Sequence, residues 1–307
     1  MNKNSKVLVL GASGMVGSAV VRQLIKRQFT TILVPNSTEL DLTSAYLVNS
    51  YFGHHKPSYV INCAGKVGGI LSNQLQPSEF LSDNALIQIN VINASFKFNA
   101  VKLLNLGSSC IYPKHCPQPI KPHYLLSGEL EPTNEPYALA KILGIKLCQA
   151  YKSQYGFNAI SLMPCNVYGL GDNYDQQNGH IIASLFDRFI KAKIENKKET
   201  VVWGTGKALR EFIYVDDLAD AILFAMDNYD GNDPLNVGTG SEISIYDLAN
   251  KIAKVVGYDG LLVYDQTKPD GTPRKLLDSS VINELGWNHT TSLEKGLKLA
   301  YSHYLPY

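Results

Sequence analysis

The sequence predicts an α/β fold: a doubly wound parallel sheet of the Rossmann type, followed by a smaller mixed α/β domain. Three observations predict it. Over the first 165 residues, short apolar segments alternate with longer helical segments, which is typical of parallel strands joined by crossover helices. The first apolar segment leads directly into a glycine-rich loop. The alternation ends after Pro164, where longer polar stretches begin.

Each element of the first part follows from its apolar pattern. The predicted strands are short and rich in Val, Ile and Leu: Lys6–Leu10, Ile32–Val34, Tyr59–Cys63, Leu103–Leu106 and Ile160–Met163. The predicted helices carry apolar residues near helical spacing: Met15–Arg27, Asn84–Phe96 and Tyr137–Tyr155.

The second part reads less regularly. We expect a loop over Gly169–Gly179, helices over His180–Ala192 and Leu218–Met226, a strand over Thr200–Trp203, and a second loop, KPDGTPR, at 268–274. The domains predicted are residues 1–165, with an element near 213–240 that returns to the first sheet, and residues 166–307.

Composition narrows the class of protein. Among 307 residues, 18% are charged and the formal net charge is +1, so neither nucleic acid nor an acidic membrane surface is an expected partner. No apolar run approaches the roughly 18 residues of a membrane span, and the N-terminus has no secretory pattern. Five scattered cysteines form no CxxC pair, so we expect no disulfide framework and no metal. A reducing compartment, the cytoplasm, is the expected location.

The glycine loop GASGMVG predicts a dinucleotide site. Gly11 suits a tight turn, Gly14 lets backbone approach a pyrophosphate, and Gly17 permits close helix packing. The helix that follows directs its N-terminus at the phosphates. An ordinary glycine-rich turn is the alternative, but the strand, loop and helix context favours the dinucleotide.

A tyrosine and a lysine four residues apart, Tyr137 and Lys141, lie on a predicted helix and would share one face. Tyr264 and Lys268 have the same spacing, but Pro269 follows at once, so we take that pair as chance. For Tyr137 to exchange a proton at neutral pH, its anion needs stabilising by roughly 3 pKa units. A nearby ammonium and an oxidised nicotinamide could supply that. Ser108 could then bond the substrate oxygen, or could simply cap a turn.

The GxxGxxG spacing and YxxxK together resemble the short-chain dehydrogenase/reductase superfamily. Further strings resemble its extended members that act on nucleotide sugars, and among these the enzymes that epimerise and reduce a GDP-4-keto-6-deoxy sugar. The strings are GMVGSA, KVGGI, GSSCIYPK, LEPTNEPYALAK, NVYG, VVWG, REFIYVDDLADAI and KPDGTPRKLLD, together with a loop ending in Gly179–His180.

The resemblance implies 3,5-epimerisation and NADPH-dependent 4-keto reduction of GDP-4-keto-6-deoxy-mannose to GDP-L-fucose. It implies a catalytic set of Ser108, Tyr137 and Lys141 for reduction, with Cys110 as base and His180 as acid for epimerisation. Alone, a buried thiol and a helix-start histidine would be unremarkable. The implied cofactor-binding residues are Gly11, Ser13, Gly14, Met15, Val16, Gly17, Asp41, Leu42, Tyr137 and Lys141. The implied substrate-binding residues are Asn166, Arg188, Trp203, Arg210 and Lys275.

The chain departs from the pattern at the cofactor's ribose. Some members of the family carry arginine in the glycine loop and just after strand two, where this chain has Ser13 and the run Pro35 to Glu39. No aspartate ends strand two either, as NAD-preferring folds often have. We expect NADP by resemblance, and NAD is not excluded.

Alternatives stay open. A GDP-4-keto-6-deoxy-heptose shares every reacting atom, and a 4-reductase without epimerisation would need only the triad. Dehydratases that resemble this chain have acidic residues just after the serine or threonine of the triad. A dehydratase is therefore disfavoured, because SSCIYP contains no carboxylate. A non-catalytic dinucleotide sensor would not need the triad that this chain carries. By resemblance we expect a homodimer through a four-helix bundle formed by Asn84–Phe96 and Tyr137–Tyr155.

Overall fold

The computed structural model describes residues 1–173 and 180–304. Its strands are β1 (Lys6–Leu10), β2 (Thr31–Leu33), β3 (Tyr59–Asn62), β4 (Lys102–Leu106), β5 (Ala159–Pro164), β6 (Asn166–Tyr168), β7 (Glu199–Trp203), β8 (Leu209–Tyr214), β9 (Leu235–Val237), β10 (Glu242–Ser244), β11 (Leu261–Asp265) and β12 (Arg274–Lys275). Its helices are α1 (Met15–Lys26), α2 (Ala45–His55), α3 (Ile70–Leu75), α4 (Pro77–Lys97), α5 (Glu135–Tyr155), α6 (Ile181–Ile194), α7 (Val215–Asn228), α8 (Ile245–Val256), α9 (Ser280–Glu284) and α10 (Leu293–Tyr304).

The main sheet has six strands in the order β2-β1-β3-β4-β5-β9, each parallel to its neighbours. Side chains alternate across it, as a sheet covered on both faces requires. Val7 and Val9 pack with Val20 of α1 and with α7, whereas Leu8 and Leu10 pack with α2 and α4. The predicted doubly wound sheet is confirmed.

The later residues build a second layer of structure beside this sheet. Strand β8 pairs with β6, β10 and β12, and β7 pairs with β11. A separate apolar core lies among α6, α8 and α10. The chain nevertheless returns to the main sheet, because α7 packs on α1 and β9 pairs with β5. The division into domains at residue 165 stays a prediction.

Four helix starts differ from the sequence prediction, at α4, α5, α6 and α7. Helix α5 begins at Glu135 rather than Tyr137, and α7 begins at Val215 rather than Leu218. Helix α4 begins at Pro77, seven residues before the predicted Asn84, because proline at the first helical position lacks only an N–H that has no partner there. Helix α6 begins at Ile181 with His180 as its cap residue. The predicted loop over Gly169–Gly179 lies outside the described residues from 174 onwards.

The order of the strands determines where a ligand would bind. From β1 the chain crosses to β2 on one side, and afterwards to β3, β4 and β5 on the other. A crevice therefore opens at the carboxyl ends of β1 and β3, which is the general ligand position in such sheets. No helix among the described residues is long and apolar enough to cross a membrane.

Candidate active site

A cavity of about 920 Å³ opens at this crevice and extends along the second sheet. This volume is near the upper end for small-molecule sites. Every predicted site residue lines it: Gly11, Ser13, Gly14, Met15, Val16, Gly17, Asp41, Leu42, Ser108, Cys110, Tyr137, Lys141, Asn166, His180, Arg188, Trp203, Arg210 and Lys275. The structure brings them together. Their individual roles stay predictions.

The glycine loop forms one end of the cavity. Gly11 has φ +75° and accepts a hydrogen bond from the Gly14 amide at 3.0 Å. A Cβ on Gly17 would lie 2.1 Å from the Gly11 carbonyl oxygen, and one on Gly11 would lie 2.8 Å from backbone of Ala64. Only glycines let the loop turn this tightly and place the N-terminus of α1 at the cavity. The residues present therefore fit a dinucleotide pyrophosphate.

Beyond β2 the part of the cavity wall that the structure describes is polar and carries no lysine or arginine. Asp41 accepts hydrogen bonds from the Thr43 amide at 2.9 Å and the Thr43 hydroxyl at 2.7 Å, which lower the pKa of its carboxyl. Asn36 similarly accepts from Thr38 and Glu39. These turns shape the place where a ribose would lie. No lysine or arginine occurs between residues 28 and 55.

The serine of GSSCIYPK follows β4 and caps a short 3₁₀ turn, Ser109–Ile111. Its Oγ accepts the Cys110 amide at 3.2 Å. The predicted capping role and the predicted position in the site are therefore both present in one residue. Because the hydroxyl is anchored to the Cys110 backbone, Ser108 and Cys110 are held at a fixed spacing.

Tyr137 and Lys141 share one face of α5, as their spacing predicts. Lys141 is buried, and its Nζ donates to the Leu106 carbonyl at 2.9 Å and lies 5.8 Å from the Tyr137 ring centre. Burial lowers the pKa of Lys141 to about 8, and the charge of Cys63 opposes this. The chance pair stands apart, with Tyr264 on β11 and Lys268 in the turn beyond it.

The pKa of Tyr137 moves in the opposite direction from the anion stabilisation expected from the sequence. Burial raises it well above the ordinary value, the charge of Cys110 adds to this, and a hydrogen bond with Ser108 offsets only part. The protein's own groups therefore keep Tyr137 protonated. That is the form needed to give a proton to a carbonyl oxygen.

Cys110 and His180 each have a charged neighbour. Lys275 Nζ lies 3.6 Å from Cys110 Sγ, and Asp172 Oδ1 lies 3.1 Å from His180 Nδ1. Burial alone would raise the pKa of Cys110, but Lys275, the hydrogen bonds with Ser108 and Lys275, and His180 together lower it. A lowered pKa increases the fraction of Cys110 present as thiolate, which is the reactive form of a cysteine.

The far end of the cavity carries an aromatic ring and two guanidinium groups. Arg188 lies over the Trp203 ring, 5.5 Å from its centre, and donates to the Val201 carbonyl. Arg210 donates to the Asp270 carbonyl at 2.9 Å, so its fork points along the KPDGTPR loop. Two arginines can bind phosphate groups, and an aromatic ring can stack on a planar nucleobase, so this end of the cavity suits a nucleotide.

Sequence reasoning missed Asp172 and did not foresee the contact between Lys275 and Cys110. Asp172 lies eight residues before His180 in a Gly- and Asn-rich loop, where an aspartate is ordinary turn chemistry. The resemblance placed Lys275 among the substrate-binding residues, and the structure shows in addition that its ammonium contacts the Cys110 thiol. The signals were weak because both contacts join segments that the sequence does not pair.

The fold and these side chains define a nicotinamide-nucleotide enzyme of the short-chain dehydrogenase/reductase type. The chain belongs to the NAD dependent epimerase/dehydratase family, whose model matches residues 7–238, and within it to the GDP-L-fucose synthase branch. It is 53% identical to the probable GDP-L-fucose synthase 1 of Oryza sativa subsp. japonica, over 99% of this chain and 93% of that protein. It is 46% identical to the GDP-L-fucose synthase of Escherichia coli strain K12, over 98% of this chain and 96% of that protein.

Among solved structures, a GDP-D-glycero-L-gluco-heptose synthase from Campylobacter jejuni, crystallised in the presence of NADPH, superimposes with a TM-score of 0.93. It is 34% identical, and the match covers 99% of each chain.

Proposed function

We propose that this protein converts GDP-4-keto-6-deoxy-mannose to GDP-L-fucose by epimerisation at carbons 3 and 5 and NADPH-dependent reduction at carbon 4. The observation that carries the proposal is the turn after β4. Ser108 and Cys110 follow each other two residues apart on this turn and line the same cavity as Tyr137 and His180. The identity of 46–53% to proteins named GDP-L-fucose synthase supports the choice of sugar.

The epimerisation follows from the acidity of hydrogens beside a ketone. Cys110, as a thiolate, takes the proton from carbon 3 or carbon 5 and leaves an enolate. His180, as an imidazolium, gives a proton to the opposite face of the same carbon. After one inversion Cys110 is a neutral thiol and His180 is a neutral imidazole. Cys110 must lose a proton to solvent and His180 must gain one before the next carbon can be inverted.

The reduction uses the other side chains of the site. Bound NADPH supplies the hydride. Ser108 bonds the carbonyl oxygen, and Tyr137 donates its proton to that oxygen as the alcohol forms. Lys141, buried beneath Tyr137, offers a positive charge toward the tyrosinate that remains. The residues that would hold the dinucleotide are those of the glycine loop together with Asp41 and Leu42.

A related GDP-4-keto-6-deoxy-heptose is a second candidate substrate. It is favoured by the TM-score of 0.93 to the heptose synthase, although identity to that protein is only 34%. Incubation of the purified protein with NADPH and each ketosugar, followed by identification of the product sugar, tests the choice. Rapid formation of GDP-L-fucose is expected. Turnover of the heptose alone would overturn the proposal.

Two substitutions should separate the half-reactions. Tyr137→Phe removes the proton donor and should lower reduction by roughly 10²–10⁴-fold, while solvent deuterium still enters carbons 3 and 5. Cys110→Ala should abolish that deuterium entry. Exchange measured by NMR without NADPH reports the first half-reaction, and NADPH absorbance reports the second. Ser109→Ala, on the same turn, is the matched control. Undiminished exchange in Cys110→Ala would refute the base assignment.

We infer that the protein is a homodimer joined through α4 and α5. These helices pack on each other, and they expose apolar side chains on the outer surface: Leu81, Leu86, Leu139 and Leu143. A second copy would cover these side chains and complete a four-helix bundle. Light scattering should give twice the 33.8 kDa of one chain. The mass of a single chain would contradict the inference.

We infer a reducing compartment, the cytoplasm, as its location, because the proposed chemistry requires Cys110 as a free thiolate. Oxidant should stop deuterium exchange and a thiol reductant should restore it. Detection of the protein only in a secreted fraction would contradict the inference.

A further inference from the structure

Lys275 is held at the Cys110 thiol by the backbone on both sides of it. Strand β12 pairs with β8, which places Lys275 beside Arg210. Two residues further on, the Leu277 amide donates to the buried Glu211 carboxylate at 3.0 Å. The ammonium therefore reaches its position, 3.6 Å from Cys110 Sγ, from a fixed strand.

Asp172 makes the corresponding contact at His180 through a buried side chain. Only 2% of its side chain is exposed, and its Oδ1 lies 3.1 Å from His180 Nδ1. Its second oxygen, Oδ2, is buried and has no hydrogen-bond partner among the described residues. A buried carboxylate of this kind is costly unless a positive charge stands beside it. An imidazolium at His180 provides that charge.

We propose that Lys275 and Asp172 are positioning residues that hold Cys110 as a thiolate and His180 as an imidazolium before the sugar binds. This inference rests on the proposed epimerisation. It gives Lys275, which the resemblance placed among the substrate-binding residues, a task at the Cys110 thiol. It also adds Asp172 to the site.

The signs of the pKa shifts agree with this arrangement. The pKa of Cys110 is lowered against the effect of burial, so its thiolate persists to lower pH. The pKa of His180 is raised, first by the hydrogen bond with Asp172, against burial, and then by the charges of Asp172 and Cys110, so its imidazolium persists to higher pH. The pH range in which both groups carry their working charge is thus widened at both ends.

Other titratable groups also face Cys110. Arg210 on β8 and Tyr137 on α5 both interact with its charge. Arg210 is committed by hydrogen bonds to the Leu209 and Asp270 carbonyls, and burial keeps Tyr137 neutral. Lys275 is the cation with a direct contact to the sulfur.

Solvent-deuterium exchange into the ketosugar, measured against pH without NADPH, tests the lysine. Lys275→Met should move the acidic midpoint upward by about one to three pH units, the usual effect of one opposite charge within 4–6 Å. Lys275→Arg keeps a positive charge and should leave the acidic midpoint close to that of the wild type. Arg274→Met removes the same charge from the next residue, which pairs with Glu242 instead, and should leave the midpoint unchanged. A Lys275→Met profile that superimposes on that of Arg274→Met would overturn the proposal.

Asp172→Asn tests the other limb of the same profile. The basic midpoint should move downward, because the neutral amide no longer stabilises the imidazolium, and Asp172→Glu should recover part of it. NMR titration of the His180 ring, assigned by the resonance lost in His180→Gln, should show the same lowering. Asp259→Asn, an exposed carboxylate elsewhere, is the control. An unchanged His180 titration would overturn the role of Asp172.

Alkylation of Cys110 separates failure of this inference from failure of the proposed function. Iodoacetamide reacts with the thiolate, and trypsin places Cys110 and Cys116 on different peptides, so mass spectrometry follows each against pH. One outcome is that the wild type shows no deuterium exchange while the pH midpoint for Cys110 alkylation is higher in Lys275→Met than in the wild type. The proposed epimerisation would then be wrong, and the role of Lys275 in stabilising the thiolate would stand. Exchange with an unmoved alkylation midpoint overturns the inference alone.

Discussion

Lys102 offers a direct test of how the main sheet is anchored. It begins β4, far from the cavity, and only 4% of it is exposed. Its Nζ lies 2.7–3.1 Å from three carbonyl oxygens at the end of α7, those of Ala225, Met226 and Tyr229, and 2.8 Å from Asp230 Oδ1, so its three hydrogens are shared among four acceptors. The lysine therefore caps the carboxyl end of α7, where the Ala225 carbonyl also accepts the Tyr229 amide at 3.1 Å.

The cost of Lys102→Met follows from these contacts. A hydrogen bond to a charged donor contributes about 1.5–3 kcal/mol, and such bonds sharing one donor do not add. Asp230 is largely exposed and regains water, and methionine replaces the apolar stem. The main loss is therefore hydrogen bonding to the carbonyls of Ala225, Met226 and Tyr229, of which the first two contacts are buried, and we expect the free energy of unfolding to fall by about 3 kcal/mol.

Urea denaturation followed by circular dichroism measures this loss as a lower midpoint with an unchanged slope. Lys298→Met, on an exposed face of α10, should change stability by less than about 0.5 kcal/mol. Reductase activity of the folded Lys102→Met protein should equal that of the wild type. Equal midpoints for the two variants would refute the capping argument.

The remaining predictions concern the cofactor and the dimer. Gly17→Ala should weaken NADPH binding at least about 10-fold in a fluorescence titration, because its Cβ would meet the Gly11 carbonyl at 2.1 Å and open the loop; equal affinity would show that the loop yields. Asn36→Arg adds a cation beside the ribose and should lower the KM for NADPH about 10-fold with little effect on NADH, and equal effects on both cofactors would place the 2′-phosphate elsewhere. Leu139→Arg combined with Leu143→Arg should give single chains in light scattering, and a persistent dimer would exclude this face.

The sequence was sufficient where a feature depends on neighbouring residues. Strand β1, the glycine loop and α1 are continuous in the chain, and their pattern of apolar residues and glycines is local. Tyr137 and Lys141 were likewise placed by helical spacing alone. The start of α4 was missed because PSEFLSD is polar and carries a helix-starting proline that also suits a turn.

The surroundings of the site could not be derived in the same way. Lys275 reaches Cys110 across 165 residues of sequence, through the pairing of β12 with β8. The raised pKa of Tyr137 depends on burial by the assembled fold, which residue types alone do not report. The resemblance to a family indicated which residues have candidate roles, and the structure gives the distances between those residues and their neighbours.

Glu211 links the two sheets at one carboxylate. One of its oxygens accepts the amides of Thr239 and Gly240, just beyond β9 of the main sheet, and the other accepts the amide of Leu277, just beyond β12. The same carboxylate therefore contacts both the edge of the dinucleotide sheet and the strand pair that carries Arg210 and Lys275. Because Arg210 lies on β8 and Lys275 on β12, the cation beside the Cys110 thiol and the neighbouring guanidinium are both positioned by backbone that this one carboxylate joins to the edge of the dinucleotide sheet.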